Sequence, residues 1–407
     1  MIRRTDPAII VPRIVAERFP ATQRKEGSMA TRSSGAEPIR VGLVADQTGP
    51  LGPAGVADAN VLRMVVGDIN AKGGLLGRTL ELYVEDGATD DAVAAAKARK
   101  LVTEDRVDVI LGGIFSSTRQ AIKSTAVTEG STLYIYPEQY EGQESDPLIF
   151  CTGPVPAQQV DTLVPWLMAR TGARTFYLPS AEYVWPRVLN ARVRELVTAN
   201  GGRILGEEYF PLDHADYRET VDRIVSSGAD VVFNMTVPPG FAPFFEQLHE
   251  SPFSARGGQI VCTYFDENML GLVPPAHVEG LYSCLDYYRD ISDPFSRRLA
   301  AQYDALYPGA AAFSSGFGCS GLYRGVRLWA AAVEEAGTLE QPAVIAALDH
   351  AHIDEGPGGP AAMVPGQHHV RMNMYIAQVQ DGQFRVVEHL GAIDPQERQV
   401  GQPALAI

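Results

Sequence analysis

The sequence is poor in cysteine and histidine, and neither residue type is clustered. Its 407 residues include 4 cysteines and 8 histidines, with no CxxC pair and no histidines at ligand spacing. Scattered cysteines are most often buried thiols, so we expect neither a disulfide framework nor a bound metal. The cysteines are Cys151, Cys262, Cys284 and Cys319.

Positive charge is also scarce. Lysine and arginine total 34 against 49 acidic residues, which gives a formal net charge of −15. This balance disfavours nucleic acid as a direct partner, because an acidic chain is repelled by the phosphate backbone. Hydrophobic residues make up 45% and charged residues 20%, an ordinary globular composition. A chain of this length is long enough for two hydrophobic cores.

No long hydrophobic run occurs near the N-terminus. The first 38 residues are rich in Arg, Pro and Ser, and their one apolar run, Ala8–Val11, is followed by Pro12 and Arg13. Such a run is too short for a secretory signal or a membrane span, so we expect a cytoplasmic protein without membrane insertion. We predict that residues 1–38 form a disordered leader, or that the start is over-long, since Met29 is a second plausible start. If the assigned N-terminus is wrong, a periplasmic or extracellular location is the alternative.

Motifs typical of enzymes are missing. The sequence has no Walker lysine motif and no GxSxG elbow. Gly316–Gly321 matches GxGxxG, but it follows no predicted strand and no ribose-binding acid follows at the right distance. We therefore predict no dinucleotide site, no cofactor and no catalytic residues.

Regular alternation of strand and helix patterns begins at Ile39. A βαβαβαβ order runs from Ile39 to Tyr136, and a second α/β series restarts after Pro154. This order predicts an α/β fold with parallel, doubly wound sheets and right-handed crossovers. Near the C-terminus, Asp381-Gly382 between two alternating runs predicts a β-hairpin.

A small polar loop follows the third predicted strand. Its residues Ser116, Ser117 and Thr118 offer hydroxyl and backbone donors at a probable helix start, where α/β sheets bind ligands. We predict that they bind a ligand carbonyl. The alternative is a helix N-cap without further function.

A second polar loop, Tyr134–Gly142, follows the fourth predicted strand. Tyr136 and Tyr140 are predicted to form aromatic walls of a pocket, and packing at the strand end is the alternative. Glu138 could accept a hydrogen bond from an amide or urea N–H, or else pair with an arginine or face solvent. Together the two loops favour a small, polar, uncharged ligand.

Several motifs resemble those of type I periplasmic-binding-protein-like receptors. The stretch Asn70–Leu82, with Asp86 after it, resembles their first-lobe signature. Tyr136-Pro with Tyr140-Glu-Gly resembles the branch of amide and urea receptors, which includes cytoplasmic amide sensors of amidase operons. Where such a sensor has tyrosine, threonine and tyrosine, this chain has Ile114, Glu138 and Trp185, so its pocket is expected to be related but not identical.

The resemblance implies two Rossmann-like lobes that close over a ligand by hinge motion. Crossing segments are expected near Pro154, Tyr282 and Asp349. Lobe one would consist of residues 39–153 plus 283–348, and lobe two of residues 154–282 plus 349–407.

The resemblance also suggests ligand contacts from lobe two. Tyr183 and Trp185 lie in the predicted facing loop and would cover the ligand on closure. Asp266 and Glu267 follow a strand where this superfamily commonly places an amine or amide acceptor, although solvated loop carboxylates are the alternative. The segment from Thr236 to Pro238 follows another strand end and could line the cleft.

These features together predict a non-catalytic binding protein for a small neutral amide or urea-like ligand. As a sensor of an amide or nitrile utilisation operon, it would act on an operon regulator, its protein partner, through lobe closure. The alternative is an extracytoplasmic solute-binding component that delivers urea, short-chain amides or branched-chain amino acids to an ABC permease. An amino acid is less favoured, because no arginine except Arg119 lies near the first two loops to hold its carboxylate.

Overall fold

The computed structural model describes residues 37–402, so all but the last two residues of the predicted leader lie outside the described part. The first half contains five strands and three helices. They are β1 (Ile39–Ala45), α1 (Gly52–Ala71), β2 (Leu80–Asp86), α2 (Asp91–Thr103), β3 (Val109–Gly112), α3 (Ser116–Ile122), β4 (Tyr134–Tyr136) and β5 (Ile149–Cys151). The strands are all parallel, in the order β2-β1-β3-β4-β5, which confirms the predicted parallel sheet.

Two helices of this half differ from their predicted bounds. Helix α1 begins at Gly52 instead of Val56, because Pro53 fits the first turn of a helix, where its missing N–H is not needed. The helix predicted over residues 117–129 is α-helical only to Ile122 and continues as a π-helix over Lys123–Glu129. The first change assigns residues 52–55 to α1 instead of to the loop after β1, and the second ends α3 at Ile122.

The second half repeats the alternation. Its elements are α4 (Pro156–Thr171), β6 (Thr175–Ala181), α5 (Val184–Ala199), β7 (Arg203–Phe210), α6 (Arg218–Ser227), β8 (Val231–Phe233), α7 (Phe241–His249), α8 (Pro252–Ala255), β9 (Gln259–Val261), α9 (Glu267–Leu270) and β10 (Tyr282–Leu285). Strands β10-β9-β8-β6-β7 are parallel neighbours in that order. The chain therefore has two doubly wound α/β lobes, as predicted.

The remaining elements join the lobes. They are α10 (Pro294–Leu306), α11 (Cys319–Ala336), α12 (Gln341–Leu348), β11 (His352–Ile353), β12 (Ala361–Val364), β13 (His369–Gln380) and β14 (Gln383–Ile393). Strand β13 lies between the lobes, antiparallel to β10 and parallel to β5 at the pair His369 and Cys151. Strands β13 and β14 form the predicted hairpin, and Asp381 and Gly382 have the positive φ angles that a two-residue turn requires.

Helices α10 and α11 return to the first lobe. Gln302 Nε2 donates to Asp68 Oδ1 on α1 at 2.9 Å, and Arg324 Nη1 on α11 donates to the Thr152 carbonyl at 2.7 Å. These contacts place α10 beside α1 and α11 beside the end of β5. The residue boundaries of the lobes stay a prediction.

The cysteines are buried and unpaired, as expected from their spacing. Within residues 37–402, no helix is both long and apolar enough for a membrane crossing. Over the same residues, His, Cys, Asp and Glu side chains form no group of three or more arranged for a metal ion.

Candidate ligand-binding cleft

A cleft lies between the strand ends of the two lobes. It is narrow, and the centres of water-sized spheres can occupy about 50 Å³ of it. The loops after β1, β3 and β4 line one side, and the loops after β6, β8 and β9 line the other. The lining residues are Leu51, Ile114, Phe115, Ser116, Glu138, Gln139, Tyr183, Trp185, Val237, Pro238, Tyr264, Met269 and Gly316.

Ser116 lies at the lobe-one wall, where α3 begins. Its side chain is buried, and its hydroxyl donates a hydrogen bond to Glu141 Oε2. Arg119 Nη2 donates to the other carboxylate oxygen of Glu141 at 2.8 Å. Because the single hydroxyl proton of Ser116 is engaged by Glu141, its oxygen offers lone pairs to the cleft.

Glu138 lies beside Ser116 in the cleft, two residues after β4. It is 4% exposed, and its Oε1 accepts the backbone N–H of Gln139 at 2.9 Å. Its Oε2 has no hydrogen-bond partner. Burial, and then the charge of Asp58, raise the pKa of Glu138 well above its ordinary value.

Asp58 on α1 is the second carboxylate of this region and is 3% exposed. A Cβ placed on Gly318 would lie 2.8 Å from Glu138 Oε2 and 3.7 Å from Asp58 Oδ1, so both oxygens border the same space. Asp58 Oδ1 also has no partner. Burial, followed by the charge of Asp46, raises the pKa of Asp58.

Tyr183 and Trp185 form the lobe-two wall at the start of α5. The Tyr183 ring meets the Phe115 ring of lobe one edge-on, with centroids 5.6 Å apart. Trp185 is 5% exposed and meets Tyr264 edge-on at 5.8 Å. Its Nε1, a donor, has no partner. The contact between Phe115 and Tyr183 thus joins the two walls of the cleft.

The structure does not bring the side chains of Ser117 and Thr118 into the cleft. Their hydroxyls donate to Asp91 Oδ1 on α2, at 3.2 Å and 2.8 Å. Successive side chains on a helix point about 100° apart, so only Ser116 of the three faces the cleft.

Tyr136 and Tyr140 also lie behind the cleft wall. Tyr136 donates to the Ile114 carbonyl at 2.6 Å, and Tyr140 bonds to His369 Nε2. The guanidinium of Arg119 lies over both rings, 5.2 Å and 4.4 Å from their centroids. The alternative of packing at the strand end describes their position. Tyr136 shares a face of β4 with Tyr134, and Tyr140, which lies beyond the strand, packs in the same buried cluster.

The remaining predicted residues of lobe two are placed one layer deeper or elsewhere. Thr236 Oγ1 donates to Asn234 Oδ1 at 2.9 Å, whereas Val237 and Pro238 of the same predicted segment line the cleft. Asp266 caps α9 by accepting from the N–H groups of Asn268 and Met269. Glu267 accepts from the Arg289 N–H at 2.6 Å and lines a separate surface pocket.

Sequence reasoning missed several lining residues. Phe115 and Tyr264 carry the aromatic contacts between and beneath the walls, and Gln139 accepts from Gln159 Nε2 at 2.8 Å. Tyr264 follows β9 and precedes Asp266. Its place after a strand of lobe two could have indicated from the sequence that it lines the cleft. Gly316 lines the cleft through its backbone, which no side-chain pattern indicates.

Comparison with solved structures gives the same fold. An ABC-transporter solute binding protein from R. palustris, in complex with benzoate, superposes with a TM-score of 0.76 at 18% identity, covering 88% of this chain and 98% of that one. A leucine binding protein from Thermotoga maritima superposes with a TM-score of 0.75 at 17% identity, covering 87% and 99%. At these identities the likeness concerns the fold alone.

Comparison with curated proteins gives a shorter match. The Leu/Ile/Val-binding protein of Escherichia coli (strain K12) is 35% identical over 95 residues, which are 23% of this chain and 26% of that protein. This alignment thus spans about a quarter of the relative. The family model described as "Periplasmic binding protein" matches residues 38–383, and the chain therefore belongs to the periplasmic binding protein family.

Proposed function

We propose that this chain is a solute-binding protein that takes a small ligand rich in N–H donors, of the amide, urea or amine type, and delivers it to an ABC permease. The cleft carries this proposal. Ser116 and Glu138 offer acceptor oxygens on one wall, and Tyr183 and Trp185 offer aromatic surface on the other. No lysine, arginine or histidine is among the described lining residues, so a ligand carboxylate would have no cationic side chain to pair with.

The transport role is favoured over the sensor role that the sequence suggested. The relatives reported above are described as binding proteins for branched-chain amino acids or as a solute binding protein of an ABC transporter. No observation on the structure favours an operon regulator as partner, and the amide-sensor hypothesis stays a prediction. Delivery to a permease would place the protein outside the cytoplasmic membrane, whereas a sensor would be cytoplasmic.

The ligand class can be tested by calorimetry and thermal unfolding with urea, acetamide, leucine and benzoate. A ligand present at a hundred times its Kd stabilises the folded state by about 2.7 kcal/mol. We expect N–H-rich solutes to raise the melting temperature and to change the fluorescence of Trp185, since its ring lines the cleft. Micromolar binding of leucine or benzoate, with no response to any N–H-rich solute, would contradict the proposal.

A further inference from the structure

The cleft contains two buried polar atoms of opposite kind that have no hydrogen-bond partner. Glu138 Oε2 is an acceptor and Trp185 Nε1 is a donor. Both side chains line the cleft, and they are only 4% and 5% exposed. Because buried polar groups in proteins are nearly always paired, these two atoms indicate a ligand that brings a donor to one and an acceptor to the other.

The surroundings of Glu138 indicate the charge of the donor. Asp58 lies nearby with its Oδ1 unpartnered, and neither carboxylate has a basic partner among the described residues. Asp286 is different, because Arg324 Nη2 pairs with its Oδ2 at 2.6 Å. A buried carboxylate pair without a counter-ion is costly, and a ligand cation would offset that cost.

Ser116 and Gly318 complete this end of the cleft. The Ser116 hydroxyl donates to Glu141, so its oxygen is a second acceptor beside Glu138. Gly318 has a φ of +77° and no side chain, and any Cβ there would collide with Glu138 Oε2 at 2.8 Å. A side chain at this position would therefore crowd the unpartnered oxygen of Glu138.

We infer that the preferred ligand is a small planar cation of the amidine or guanidine type that also carries a carbonyl oxygen. Its charged N–H groups bind Glu138 Oε2 and Ser116 Oγ, and its carbonyl accepts from Trp185 Nε1. The ring faces of Tyr183 and Trp185 suit a flat, delocalised group. This inference rests on the proposed function and narrows its ligand class from N–H-rich solutes in general to cationic ones.

Guanylurea and biuret form a matched pair for the test. The two molecules are planar and have the same heavy-atom skeleton, and they differ in that guanylurea has a protonated C=NH2 group where biuret has a carbonyl. Titration calorimetry at pH 7 should show that guanylurea binds about tenfold or more tightly than biuret, since hydrogen bonds to charged groups are the stronger ones. Equal or tighter binding of biuret would overturn the inference.

Two variants assign the contacts. In Glu138→Gln, which keeps the shape of the side chain, the preference for guanylurea should fall sharply toward one, because the carboxylate that contacts the cation is removed and only Asp58 remains nearby. In Trp185→Phe both ligands should weaken by about fivefold to tenfold with their ratio unchanged, since each has a carbonyl for the indole N–H. Trp166→Phe is the control, because Trp166 Nε1 donates to Glu388 at the surface at 3.3 Å.

The outcomes separate this inference from the proposed function. If urea or acetamide binds and biuret outcompetes guanylurea, the cation preference is wrong and the solute-binding role stands. If guanylurea binds tightly but Glu138→Gln retains the preference, the assignment to Glu138 is wrong. If no compound of either panel binds, both the inference and the proposed ligand class fail.

Discussion

Glu138 and Glu141 are three residues apart on one loop and are both buried, yet they lie in opposite surroundings. Glu141 belongs to a polar cluster behind the lobe-one wall, formed by Arg119, Lys123, Glu141 and Glu144, which we call the Arg119 cluster. Arg119 Nη2 donates to Glu141 at 2.8 Å, and Lys123 Nζ pairs with Glu144 at 2.6 Å. Glu138 has no basic partner and borders Asp58 instead.

The carboxylates of the Arg119 cluster have cationic partners, whereas those of the cleft do not. Arg119 pairs with Glu141, and Lys123 pairs with Glu144 and lies 3.5 Å from Asp146. Burial lowers the pKa of the adjacent His369 to about 4, so that ring is neutral at pH 7. At the cleft, burial raises the pKa of both Glu138 and Asp58. Charged side chains that pair with one another stabilise the fold, whereas buried carboxylates without a partner are available to bind a ligand.

Removal of Arg119 should leave a buried carboxylate of the cluster without a cationic partner, as in the cleft. We expect this variant to lose the most folding stability of those proposed here. Arg119 is 2% exposed, and Arg119→Met would leave Glu141 buried without its ion-pair partner. Breaking one side of a buried ion pair costs about 3–5 kcal/mol in the free energy of unfolding. Thermal unfolding measures this loss without adding urea, which is one of the proposed ligands.

The matched control is Arg99→Met. Arg99 pairs with Glu129 at 3.0 Å, but both side chains are about half exposed. Such surface pairs contribute about 1 kcal/mol or less, so this variant should remain close to the parent chain. Equal losses in Arg99→Met and Arg119→Met would mean that the cluster does not stabilise the fold through its charges.

The strand and helix alternation of this chain could be read from the sequence because each long element carries its own period. The βαβ order of lobe one and the Asp381-Gly382 turn were predicted and confirmed. Strands β5 and β10 were missed, since three or four buried residues show no alternation that separates a strand from a loop. Their places depend on neighbouring strands rather than on local pattern.

The candidate site was predictable as a set of loops but not as a set of side chains. Alternation along β4 indicates that Tyr134 and Tyr136 share a face, but not which face lies toward the cleft. The same limit applies to Ser116 and Ser117, where the start of α3 decides which hydroxyl turns inward. Whether Glu138 has a basic partner depends on α1 and α11, which are distant in sequence.

The second prediction concerns the pH dependence of the ligand-free protein. Glu138 has a raised pKa, so the folded state binds its proton more tightly than the unfolded state does. The stability from this group is therefore fully present below its ordinary pKa of 4.5 and is lost as pH rises toward the raised value. The charged groups that act on it, Asp58, Asp266 and Asp286, are all acidic and raise the pKa further.

Glu138→Gln should remove this contribution, because an amide does not ionise. Between about pH 5 and 7 the stability of the parent chain should fall relative to the variant, by up to about 1.4 kcal/mol per pH unit for a single proton. Denaturation curves of both proteins across this range give the difference directly. Parallel curves would mean that the pKa of Glu138 is not raised in the folded state.

The smallest effect is expected at Ser116, which joins the two regions. Its hydroxyl donates to Glu141 in the Arg119 cluster while its oxygen lines the cleft. In Ser116→Ala, Glu141 keeps Arg119, so the free energy of unfolding should fall by only about 1 kcal/mol, the usual value of one hydrogen bond. Binding of guanylurea should weaken by about fivefold, because one of its two acceptors is lost while Glu138 remains.

Ser117→Ala is the control, since the Ser117 hydroxyl donates to Asp91 on an exposed surface and the variant should leave calorimetric affinity unchanged. If Ser117→Ala weakens binding as much as Ser116→Ala, both hydroxyls face the ligand as the sequence suggested. In that case the placement of Ser116 inside the cleft and of Ser117 outside it is wrong. The distinction between the Arg119 cluster, whose charges pair with one another, and the cleft, whose carboxylates await a ligand, would then fail as well.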